Sequence, residues 1–183
     1  DSLSSLVLDN VELEDYSTIK GVSKIVDLEI NINDGELDPV VLFSFTNLKK
    51  LTLDIDSFPP ELLDLDILDK LEYLDITIDE QLSSIPKLPE SLKWFRVKHY
   101  SGHGQYRGIR LSLNGLSECV NLETFIIAIP GVKINLEDIS ECKTIKNLSI
   151  GTDTDNLNVV ENLPLLTNLS LYLRNMDLNV KLS

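Results

Sequence analysis

The feature that most constrains this chain is a short phrase written eight times. The phrase is L-x-x-L-x-L, with any large apolar residue allowed at the L positions. The sets are Leu3/Leu6/Leu8, Ile25/Leu28/Ile30, Leu48/Leu51/Leu53, Leu71/Leu74/Ile76, Leu92/Phe95/Val97, Leu122/Phe125/Ile127, Ile145/Leu148/Ile150 and Leu166/Leu169/Leu171. Successive middle residues are separated by 22, 23, 23, 21, 30, 23 and 21 positions, so the phase holds along the whole chain with one long step. Within each phrase the apolar residues alternate with polar ones, the pattern of a strand with one face inward. A single strand cannot bury that face alone, whereas stacked copies build a continuous core. The spacing therefore predicts about eight parallel strands, ~4.8 Å apart. They fall near residues 3–9, 25–32, 48–55, 71–78, 92–99, 122–129, 145–151 and 166–173.

A second periodic position reinforces the first. Three residues before the opening L stand Val22, Phe45, Leu68, Cys119, Cys142 and Leu163. The two cysteines occupy this one position in adjacent turns, within the tripeptide Ser-Glu-Cys each time. They are thus expected as stacked neighbours, close enough for a disulfide. Two buried free thiols standing in for Leu are preferred, because Cys behaves as a small hydrophobe. Between strands, "SECVN", "ISECK" and "VVENLP" read as single turns, and "PVVLFSF" and "PELLDLDILDK" as longer helical pieces.

The period falls in the 20–29 residue band of leucine-rich repeats, and the chain resembles that family from residue 3 to about 173. The resemblance implies an α/β fold: a right-handed solenoid with the parallel sheet on its concave face and short helical or irregular convex segments. It also implies binding of protein partners through the concave face, with no catalysis. The family usually carries Asn three residues after the last L. Here that place holds Val11, Asn33, Asp56, Asp79, Tyr100, Pro130, Asp153 and Arg174, which predicts irregular turns. "FPPELLDLDILDKL" is similar to the opening of an F-box, the adaptor-binding motif of ubiquitin-ligase receptors. It lies inside one repeat whose spacing stays at 23, and an independent domain would break the phase. "IPKLPESLKWFRV" is similar to a repeat of secreted bacterial effectors but occurs once.

The 183 residues suffice for one domain with a substantial core, and the net charge is −14. That charge argues against nucleic acid as the main ligand, which needs a basic footprint. No apolar run approaches the ~20 residues of a membrane span. Two cysteines are no disulfide framework, which favours an intracellular compartment over a secreted or surface location. Asp1 opens the chain without an initiator Met or a signal-peptide pattern, and no cap precedes the first strand. These features point to a piece of a longer protein, or to solenoid ends covered by further chain or by a capping partner.

In the repeat, residues flanking and separating the last two L positions point onto the open face of the sheet. Strands two to four place Asp27, Glu29, Asp54, Tyr73 and Asp75 there. Strand five turns basic and aromatic, with Trp94, Arg96 and Lys98. The long step follows: an insertion at 99–111 containing Tyr100, His103, Tyr106 and Arg107. From Lys93 to Arg110 there are five Lys or Arg and no acid. A large aromatic beside Arg is a frequent hot-spot composition, and loops on rigid scaffolds commonly carry function. These twelve residues are the candidate partner-binding set.

No cofactor or metal is expected. His99 and His103 have i,i+4 spacing, but Gly102 and Gly104 break any helix that would align them. "GHGQYRG" lacks the glycine spacing of a phosphate loop. The carboxylates of strands two to four stack, yet no Gly-bearing calcium loop accompanies them, so an acidic docking surface is the better reading. The sequence thus reads as a non-catalytic protein-recognition module, a substrate-reading part of an F-box-type or other adaptor assembly. The alternative is a secreted or surface effector or adhesin module acting on a host protein.

Overall fold

A computed structural model describes residues 3–10, 22–33, 37–56, 58–59, 62, 64–78, 82–99, 109–116 and 118–172. Eleven strands are present among them: β1 (Ser5–Asp9), β2 (Asp27–Ile32), β3 (Lys50–Ile55), β4 (Tyr73–Ile78), β5 (Trp94–His99), β6 (Ile109–Leu111), β7 (Thr124–Ala128), β8 (Val132–Asn135), β9 (Asn147–Ile150), β10 (Asp153–Asp155) and β11 (Asn168–Leu171). Eight form one parallel sheet in the order β1-β2-β3-β4-β5-β7-β9-β11.

The register follows the repeated phrase residue for residue. Leu6, Leu28, Leu51, Leu74, Phe95, Phe125, Leu148 and Leu169 stand opposite one another in a single file across the sheet. From Leu28 to Leu148 this file is at most 1% exposed. Each such side chain contributes roughly 1.5–3 kcal/mol by leaving water. Phe95 and Phe125 stack within it at 5.6 Å between ring centroids. The outermost repeats are less covered, and Leu6, Leu8, Leu166, Leu169 and Leu171 are only partly buried. A one-residue slip of any inner strand would turn its apolar set to solvent, which is why register is so strictly kept.

Each repeat reaches its strand through the same tight turn. Backbone N–H groups of Ile25, Leu48, Leu71, Leu92, Leu122, Ile145 and Leu166 donate to the carbonyls of Val22, Phe45, Leu68, Pro89, Cys119, Cys142 and Leu163, at 2.9–3.2 Å. The second periodic position is therefore the inward corner of this turn. Cys119 and Cys142 occupy two such corners as buried free thiols. Burial pushes their pKa values up to about 12 and about 11. Their Sγ atoms lie 3.9 Å from the Pro89 carbonyl and 3.5 Å from that of Leu116.

The other side of the core carries the expected short helical segments and adds a second sheet to them. Helix α1 (Pro39–Phe43) forms where a longer helical piece was expected, capped by Asp38, whose carboxylate accepts from the Val40 N–H at 2.8 Å. Short 3₁₀ turns cover Leu65–Ile67, Asn114–Leu116, Leu136–Ile139 and Leu157–Asn162. Not anticipated from the sequence is a second parallel sheet of order β10-β8-β6. Its strands are too short for a sequence pattern to stand out: β8 is Val-Lys-Ile-Asn, with Val132 and Ile134 buried. It also bears on two of the missing family asparagines. At Pro130 and Asp153 the chain passes directly into β8 and β10, so cross-strand pairing engages backbone that an amide would otherwise serve.

The long step of the repeat has a defined place. Residues 129–131 join β7 to β8 and 151–152 join β9 to β10, whereas 100–108 join β5 to β6.

Candidate functional site

Three files of side chains cover the open face of the large sheet. Because the strands are parallel and in register, each side chain meets its counterpart one repeat away. The first file runs Asp27, Lys50, Tyr73, Trp94, Thr124, Asn147, Asn168. It is linked nearly throughout. Lys50 Nζ donates to Asp27 Oδ2 at 3.2 Å and lies 5.6 Å from the Tyr73 ring centroid. The Tyr73 and Trp94 rings stack at 4.1 Å and 5°. Asn147 Nδ2 donates to Thr124 Oγ1 at 3.0 Å, and Asn168 Nδ2 to Asn147 Oδ1 at 2.6 Å. Trp94 is half-buried, with one face on Tyr73.

In the second file Glu29, Thr52, Asp75, Arg96, Ile126, Ser149 and Ser170 are neighbours. Arg96 grips Asp75 with two prongs: Nε donates to Oδ1 at 2.8 Å and Nη2 to Oδ2. Its Cζ also lies 5.5 Å from the Trp94 ring centroid. The bond to Asp75 raises the guanidinium pKa further. Asp75 is 5% exposed although its strand position faces the open side, and Thr77 beside it is buried too. The alternation of β4 is broken there because long side chains from the neighbouring strands close over it.

The third file contains Asn31, Asp54, Thr77, Lys98 and Ala128. Burial raises the Asp54 pKa, Lys98 opposes the shift, and Asp56, Asp75 and Glu29 add to it. Of the twelve candidate residues, Asp27, Glu29, Asp54, Tyr73, Asp75, Trp94, Arg96 and Lys98 all lie on this one face. Tyr100, His103, Tyr106 and Arg107 lie outside the described residues.

A charged rim at the strand starts was not anticipated. Lys49, Glu72, Lys93, Glu123 and Lys146 precede successive strands and alternate in sign. Glu72 pairs with Lys49 at 3.8 Å and Lys93 at 2.7 Å, and Glu123 with Lys146 at 2.9 Å. The signal was available: one position, read once per repeat, switches charge each time. Among the described residues, no cluster of three or more His, Cys, Asp or Glu is arranged to hold a metal ion. No described helix is long and apolar enough to cross a membrane.

No protein-family profile matches the chain, and neither does any curated protein sequence. Solved structures do. The plant peptide hormone receptor RGFR1, in complex with RGF2, superposes with a TM-score of 0.52 at 20% identity over 93% of this chain and 32% of the receptor chain. The fold is that of a leucine-rich-repeat solenoid. Internalin C2 from Listeria monocytogenes matches at 16% identity over 97% of this chain and 65% of its own, with a TM-score of 0.48. The Leptospira interrogans LRR protein LIC12759 matches at 15% identity over 81% and 44%, with a TM-score of 0.45. The leucine-rich-repeat chain described here thus spans less than two thirds of each of these chains. At these identities the likeness fixes the fold, and the face described above carries any reading of function.

Proposed function

We propose that this leucine-rich-repeat face recognises a protein partner without catalysis, with the Tyr73–Trp94 stack at the centre of the contact. The observation behind the reading is that stack. Two large aromatics lie half-buried on an otherwise polar sheet, held flat by Lys50 on one side and Arg96 on the other. A rigid aromatic plate with flanking charges offers contact area at little entropic cost, the composition of binding hot spots. Asp27, Glu29, Asp54, Asp75, Arg96 and Lys98 frame it. Tyr100, His103, Tyr106 and Arg107 in the 99–111 insertion belong to the same proposed contact set. Within a longer protein the face serves as the recognition part of an adaptor assembly, of F-box or another type.

The test is quantitative partner capture by the wild type and by two surface variants, Trp94→Ala and Lys98→Glu. Arg96 is avoided because it also holds the buried Asp75 in place. Trp94→Ala is expected to lower capture at least about tenfold, the loss of one hot-spot aromatic. Equal capture by all three proteins, each shown to be folded, refutes the reading.

A further inference from the structure

The open face is divided by charge in a way that its composition alone does not reveal. Two of its four candidate carboxylates are already engaged: Asp27 by Lys50 and Asp75 by Arg96. The rim charges pair with one another. Glu29 on β2, Asp54 on β3 and Asp56 just beyond the end of β3 make no ion pair among the described residues. Glu29 accepts only an amide hydrogen bond from Asn31, at 3.2 Å. Lys98 is the cation that bears on Asp54, across the buried Thr77. The other half of the sheet carries no charge in any of the three files: Thr124, Ile126 and Ala128, then Asn147, Ser149 and Gly151, then Asn168 and Ser170. Ile126 and Ala128 there are half-exposed, opposite Arg96 and Lys98 of β5, with Thr124 opposite Trp94.

On the basis of the concave-face reading, we infer that the occupant is a protein segment that is cationic over β2–β3 and apolar over β5–β7. Both halves of this chemistry follow from desolvation. A neutral segment would bury three carboxylates with Lys98 bearing on just one of them, and a uniformly basic one would strand its own charges over the neutral strands. From β3 to β7 there are three strand steps, or roughly 14 Å at ~4.8 Å each. An extended segment lying across the strands covers that distance in about four residues, at ~3.3 Å per residue. The cationic and apolar anchors are therefore about four positions apart.

The experiment selects a displayed library of random octapeptides on the full chain, then measures synthetic copies of the winners by Trp94 fluorescence and calorimetry. The expected winners carry Lys or Arg about four positions from an apolar or aromatic residue. The triple variant Glu29→Gln/Asp54→Asn/Asp56→Asn is expected to weaken them about tenfold, near 0.5 kcal/mol per screened charge pair. Added salt weakens the wild type and hardly affects the triple variant. Neutral or acidic winners that are lost with Trp94→Ala overturn this inference and leave the concave-face reading standing. Winners that bind the triple variant and Trp94→Ala as well as wild type overturn both, as does a selection that enriches no peptide. Spermine binding as tightly as the winners overturns the apolar half, because a bare polycation would then suffice.

Discussion

Arg96 closes a two-pronged, hydrogen-bonded ion pair on the buried carboxylate of Asp75, one strand away. The pair occupies the middle of the open face and ties the aromatic stack to the sheet. Removing the guanidinium leaves a charged acceptor buried without its partner, which costs more than the pair itself contributes. Arg96→Ala is expected to destabilise the fold by about 2 kcal/mol, discounted because Arg96 is about a third exposed. The double variant Arg96→Leu/Asp75→Leu recovers much of that loss. Urea unfolding of the wild type, Arg96→Leu, Asp75→Leu and the double variant closes a double-mutant cycle that measures the coupling.

Gly115 marks a close approach of two backbone segments. A Cβ there would stand 1.9 Å from the Pro86 carbonyl oxygen and 2.7 Å from its carbon. Nothing at that contact is a flexible side chain, so the segments must part. They are also joined by the Leu88 N–H donating to the Gly115 carbonyl at 3.2 Å. Gly115→Ala is expected to cost about 3 kcal/mol, read as a lower urea midpoint with an unchanged slope.

The two thiols should be chemically silent while the chain is folded. Their pKa values of about 12 and about 11 leave almost no thiolate at neutral pH, and both are 1% exposed. A disulfide-exchange reagent at pH 8 is expected to label neither Cys119 nor Cys142 until denaturant is added. Prompt labelling of the native protein would contradict the packing described.

Asp54 and Glu72 should respond to pH with opposite signs. Burial holds the Asp54 carboxyl above its ordinary value of 3.8, so the folded chain binds that proton more tightly than the unfolded chain. Its ionisation therefore costs stability above the folded pKa, and the cost disappears as pH falls below 3.8. Asp54→Asn is expected to raise Tm at pH 7 and to match the wild type at pH 3. Glu72 is held below its ordinary 4.5 by Lys93, so its stabilisation is present above that value and is lost as pH falls through the folded pKa. Glu72→Gln should lower Tm slightly at pH 7, with the difference closing in acid. Thermal melts of the three proteins at pH 3, 5 and 7 decide both signs.

Trp94 is the single tryptophan of the chain, which makes its fluorescence a direct report on the proposed contact. Trp94→Ala removes one aromatic stack from a half-exposed site and is expected to cost about 1 kcal/mol, small enough to keep the chain folded. Far-UV circular dichroism and a urea curve check that the scaffold survives.

The repeated phrase was enough by itself to set the parallel sheet, the file from Leu6 to Leu169 and the inward place of both cysteines. Apolar period and strand register are the same physical fact, since only one alignment buries every file at once. The phrase also brought Tyr73, Trp94, Arg96 and Lys98 onto one face with Asp27, Glu29, Asp54 and Asp75. It did not disclose which charges cancel. That depends on side-chain reach between strands: Arg96 spans to Asp75 and Lys50 to Asp27, while Glu29, Asp54 and Asp56 form no ion pair among the described residues. The small sheet of β6, β8 and β10 was equally a tertiary decision. Three- and four-residue strands carry too little alternation to be read locally, and they form because the neighbouring repeat offers a parallel edge at the right height.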